Sequence, residues 1–149
     1  MDRLQIPLLI NYASNPNCLG VARLAAGGIV GHERLGGETL CAATLSLLLD
    51  MARINVGVIH DVIGLTVELK KRGWNVIRTP DTAEAGNDML SSGDIGVLIG
   101  SEYKHIYLVV NAGNPSRPEV ADSQSLSPHP QWVNGGSSVP QTSFFLRAS

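Results

Sequence analysis

Nucleophilic chemistry at neutral pH needs an ionisable attacking atom and a base, and the scarce residues for that task in this 149-residue chain are Cys18, Cys41 and four histidines. A thiol attacks only as thiolate, and a helix N-terminus favours that anion through its unbonded N–H groups and macrodipole. Cys41 opens the run Cys41-Ala42-Ala43-Thr44-Leu45-Ser46-Leu47-Leu48-Leu49-Asp50-Met51-Ala52-Arg53, in which Cys41, Leu45, Leu48, Leu49 and Ala52 recur at helical spacing. Upstream, Gly36-Gly37-Glu38-Thr39 stops any earlier helix and offers Thr39 as the cap. The spacing predicts a core helix with Cys41 in its first turn. Cys18, after Asn15-Pro16-Asn17, reads as a loop residue without a chemical role, although pairing with Cys41 is open at this point.

The base is expected from His105, at the start of the apolar run His105-Ile106-Tyr107-Leu108-Val109-Val110. Strand alternation puts His105, Tyr107 and Val109 on one face and Ile106, Leu108 and Val110 on the other. A third group must fix the imidazole's tautomer and orientation. If Gly113-Asn114-Pro115-Ser116 is a hairpin loop, Tyr107 faces Asp122 and His105 faces Gln124, so either residue can orient the ring, with Asp122 preferred. His32 is the rival partner for Cys41, whereas His60 and His129 read as ordinary surface or satisfied histidines. For a developing oxyanion the Cys41 N–H is the expected donor, with Tyr12, Asn17 and His32 as polar candidates upstream. Trp132, in a Pro- and Gly-rich stretch, would line a groove or cover a core edge.

Around these residues the chain predicts a second helix from Asp61 to Lys70-Lys71-Arg72-Gly73, its cations at the negative helix end, and a strand at Trp74 to Arg78. Asp81-Thr82-Ala83-Glu84 resembles a capping box for a short helix toward Leu90, and Ser91-Ser92-Gly93-Asp94 forces a turn. Strands follow at Ile95 to Ile99, His105 to Val110, Glu119 to Ser123 and Ser143 to Arg147, with loop between Leu126 and Pro140. Helices first and a small antiparallel sheet afterwards argue an α+β fold in one domain spanning 1–149.

Composition narrows the partners. Eleven basic against thirteen acidic residues give a net charge of −2, with no basic stripe for a nucleic-acid backbone. No apolar run reaches the ~20 residues of a membrane span, and the start shows no leader pattern. The cysteines show no zinc spacing, and the chemistry above requires no metal or other cofactor. Gly27-Gly28 and Gly36-Gly37 lack the phosphate-loop pattern and read as close-approach points beside a cleft.

The helix-starting Leu40-Cys41-Ala42-Ala43, a second helix ending in Gly73-Trp74, the turn Ser92-Gly93-Asp94-Ile95 and the strand His105-Ile106-Tyr107-Leu108-Val109-Val110 together resemble the bacterial papain-like amidases of the NlpC and CHAP types. The resemblance covers roughly residues 32 to 124. It implies a papain-like fold, Cys41 as nucleophile, His105 as base, Asp122 as orienting residue, and cleavage of an amide bond in the peptide part of peptidoglycan. It also implies delivery to the periplasm, the cell wall or a host cell, as for a toxin or phage-borne lysin, with an inhibitor or immunity protein among candidate partners. The alternatives are an effector-like protease or isopeptidase acting on proteins, and an inactive binding module.

Overall fold

The structure is a computed structural model, described here for residues 1–30, 38–77, 90–114, 116–135 and 140–149. After a 3-10 turn at Asp2–Gln5 come α1 (Ile6–Ser14), α2 (Pro16–Val30), α3 (Glu38–Met51) and α4 (Val62–Lys71). Asn15 separates α1 from α2: its Oδ1 accepts the N–H groups of Asn17 at 2.9 Å and Cys18 at 3.4 Å, and Pro16 takes the first helical position. Cys18 is therefore a first-turn helical residue, not a loop residue. Gly27 and Gly28 also lie within α2, and a Cβ at Gly28 would meet nothing within 4 Å, so Gly28 is no close-approach point. Gly36-Gly37 lies outside the described residues, as do His32 and the expected helix start at Asp81-Thr82-Ala83-Glu84.

The cysteine helix forms where periodicity predicts but starts earlier. Thr39, expected as its cap, is already helical, and Cys41 is the fourth residue of α3. Helix α4 starts where expected, the Asp61 side chain there accepts Gly64 N–H at 2.5 Å, and the chain turns at Gly73 as expected. Its basic end is only partly solvated. Arg72 bonds both carboxylate oxygens of Asp2, at 2.7 and 2.8 Å, and the buried Trp74 donates Nε1–H to the same carboxylate at 2.9 Å. The Arg72 hydrogen bonds, opposed by burial, hold the Asp2 carboxyl below its ordinary pKa.

Six strands form one sheet in the order β1-β6-β2-β3-β4-β5, every neighbouring pair antiparallel: β1 (Asn75–Ile77), β2 (Ile95–Ile99), β3 (Lys104–Asn111), β4 (Glu119–Ala121), β5 (His129–Pro130) and β6 (Phe144–Arg147). The turn into β2 depends on Gly93, at φ 98°, where a Cβ would come within 2.3 Å of Ile6 Cγ2. Strand β5 falls where a loop is expected. Leu108 faces Ala121 and Val109 faces Val120, the register expected for a hairpin that brings Asp122 level with Tyr107. A bulge between Val109 and Asn111 absorbs the difference between the expected loop and the real one.

The fold is thus α+β, with helices packed on one face of the sheet. Cys41, Leu45, Leu48 and Leu49 of α3 share a buried cluster with Ile95, Val97, Ile106, Leu108 and Val110. Each fully buried leucine contributes roughly 1.5 to 3 kcal/mol, which fixes α3 against the sheet. On the other face Tyr107, Val109, Leu98, Val120, Val133 and Phe145 form a second cluster. There Gly96 faces Tyr107 across the ladder, and a Cβ at Gly96 would lie 2.3 Å from the tyrosine ring. No helix among the described residues is long and apolar enough to cross a membrane.

Candidate active site

Alternation along β3 decides where His105 points. Its ring shares the face of Tyr107, while α3 packs against Ile106, Leu108 and Val110 on the opposite face. A thiol on α3 can therefore meet this imidazole only around the leading end of β3, not through the sheet. Tyr103, just before that end, marks the place. Its ring centroid is 6.1 Å from that of His105, and its hydroxyl bonds the Gln124 side chain. Burial raises the pKa of the Tyr103 phenol against that hydrogen bond, and negative charge on Cys41 and Asp122 raises it further.

His105 is 3% exposed and lies between two aromatic neighbours, Tyr103 just before its strand and Tyr107 on it, with the Tyr107 centroid 6.0 Å away. Its Nε2 is 2.9 Å from Asp122 Oδ2. An ionised carboxylate only accepts, so Nε2 carries the hydrogen and Nδ1 is the nitrogen with which a neutral His105 would take a thiol proton. Beneath it, Tyr107 is fixed by a 2.6 Å hydrogen bond between its hydroxyl and that of Thr142. Burial pushes the Tyr107 pKa well above its ordinary value, which keeps the phenol neutral.

Asp122 is 3% exposed and holds three donors. Oδ2 takes His105; Oδ1 takes the Gln124 backbone N–H at 2.9 Å and His129 Nε2 at 2.8 Å. Burial alone would raise its pKa, but the hydrogen bonds from His105 and His129, with their charge, outweigh that and leave the carboxyl far below the ordinary range. This geometry answers the question left open between Asp122 and Gln124: Asp122 contacts the ring, and Gln124 supports Asp122 through its backbone and Tyr103 through its side chain.

Cys41 is fully buried and Cys18 partly so, and neither forms a disulfide, so the pairing left open above does not occur. Cys41 is the fourth residue of α3, within its first turn. Tyr12, on α1, packs against the core cluster that contains Cys41. Asn17 caps to Asn15 at the exposed start of α2. Trp132 is not brought to the site. The β4–β5 pairing runs from Val120 opposite His129 through Glu119 opposite Pro130 to Gln131 N–H on Pro118 O, each step leading away from Asp122, and Trp132 stacks on Arg117 at 5.1 Å.

The residue that sequence reasoning missed is His129, expected to be an ordinary surface or satisfied histidine. A signal was present: a third strand beside Glu119–Ala121 would bring a polar residue within reach of Asp122. Among the described residues no group of three His, Cys, Asp or Glu is arranged to hold a metal ion. Comparisons with family models, curated proteins and solved structures find no match to this chain.

Proposed function

We propose that the chain is a cysteine hydrolase of papain-like type that cleaves an amide bond, with Cys41 as nucleophile, His105 as base and Asp122 as orienting residue. The observation that carries this reading is the buried pair of His105 Nε2 and Asp122 Oδ2 at 2.9 Å, on a strand whose other face packs against the cysteine helix. A buried imidazole locked in one tautomer by a carboxylate is what general base catalysis requires.

In the proposed cycle His105 Nδ1 takes the Cys41 proton and Sγ attacks the carbonyl carbon. The oxyanion is met by N–H groups at the start of α3. His105 returns the proton to the leaving amine, and a thioester remains on Cys41. Water then attacks that thioester, giving one proton to His105, and the thiolate leaves with the carboxylic acid formed. The substrate class favoured by the resemblance is the peptide part of peptidoglycan.

Purified peptidoglycan and a panel of protein and ubiquitin conjugates, incubated with the full chain and with Cys41→Ala, test the reading. Release of muropeptides by the native chain alone is the expected result. Cleaved protein conjugates would move the substrate to proteins. Equal release by Cys41→Ala, or no labelling of Cys41 by an electrophilic thiol probe at neutral pH, would overturn the hydrolase reading.

A further inference from the structure

We propose that His129 is a positioning residue, held as an imidazolium, that clamps Asp122 so that its other oxygen stays aimed at His105. The catalytic consequence rests on the hydrolase reading; the clamp itself does not. His129 stands at the edge of the sheet with both ring nitrogens facing acceptors, Nε2 at 2.8 Å from Asp122 Oδ1 and Nδ1 at 3.1 Å from the Pro130 carbonyl oxygen. A carbonyl accepts only, as does a carboxylate whose lone pairs already receive two other donors. Both His129 nitrogens must then donate, and only the protonated ring does so.

The surroundings favour that state. The hydrogen bond to Asp122, against desolvation, raises the His129 pKa, and the carboxylate charge and the Pro130 carbonyl add to it. Just after β4, Asp122 faces this segment, Glu119 of β4 stands opposite Pro130, and across the carboxylate from β3 stands His105. Oδ1 is thereby pinned by two donors, the Gln124 amide and His129, and Oδ2 is left to His105. A neutral His129 can donate only once. It must give up either Pro130 or Asp122, and in the second case the carboxylate keeps one anchor instead of two.

The test uses the full chain with nitrogen-15 histidine. His129 is expected to show two protonated nitrogens at pH 7 and to titrate above the ordinary histidine value of 6.5, and the His105 signal is expected to shift in the same step. In His129→Gln, which keeps one donor and cannot titrate, that step in the His105 signal should vanish. Thiol-probe labelling of Cys41 at pH 7 should fall about 10-fold in His129→Ala and stay within about 3-fold of native in His129→Gln. A bare nitrogen on His129 at neutral pH, or a His105 step that persists in His129→Gln, would overturn the clamp. Equal labelling in all three proteins would overturn the positioning role. If His129→Ala does not fold, the glutamine variant decides alone. A protein whose Cys41 never labels but whose histidines behave as expected keeps the clamp and loses the hydrolase.

Discussion

Asp94 and Asp122 are two buried carboxylates on either side of β3, and they are neutralised in different ways. Asp94, 1% exposed, accepts Arg147 Nε and Nη2 at 2.8 Å each and the Ser91 N–H at 2.7 Å. Its cation is a guanidinium that never gives up its proton. Asp122 has two imidazoles instead, donors that exist in both protonated and neutral forms. A fixed fork suits a turn that must hold β2 and β6 together; a pair of titratable donors suits a place where a proton must move. The same residue type, equally buried, is held by a permanent cation in one setting and by imidazoles in the other.

Replacing each carboxylate tests that contrast. Asp122→Ala strands three donors and is expected to cost about 3 to 5 kcal/mol, together with a loss of roughly 100-fold or more in Cys41 labelling. Denaturant titration and probe kinetics on the folded fraction measure the two effects. Asp94→Ala should cost about 1 to 3 kcal/mol, because Arg147 is partly exposed and can rehydrate. Labelling in its folded fraction should match native, and a fall like that of Asp122→Ala would erase the distinction.

The Asp122–His129 pair also predicts a pH signature. The Asp122 pKa is depressed below 3.8, so its contribution is present above the unfolded value and lost only as pH falls through the lower folded value. The His129 pKa is raised above 6.5, so its contribution is present below the unfolded value and lost as pH rises through the folded one. Urea midpoints of the native chain should therefore decline on the alkaline side of 6.5 more than those of His129→Gln. The smallest effect belongs to Trp132→Ala, which removes one exposed cation–π contact worth about 0.5 to 1 kcal/mol. Labelling should not change, and a clear loss would return Trp132 to the site.

Legibility in the sequence followed the range of the physics. Asp61 with its Gly64 N–H, the turn at Gly93 and the extent of β2 are local effects of capping, φ preference and β-branched runs, and all three fall where the residues predict. The His105–Asp122 contact was reachable because one hairpin links the two strands. Asn15-Pro16 was misread because an Asn cap before a helix-starting proline looks like a turn. His129 stayed hidden because its partner is set by which strand pairs with β4, a tertiary choice that Pro128-His129-Pro130 does not advertise.

Strand β5 also closes the sheet. It is the outermost strand on its side, two residues long, and one of them is proline, which has no N–H to offer an incoming chain. Ending the sheet this way denies neighbouring molecules a template for extension while leaving His129 half-accessible to solvent protons. The border that protects the protein from self-association is thus also where the acidity of the medium would be sensed.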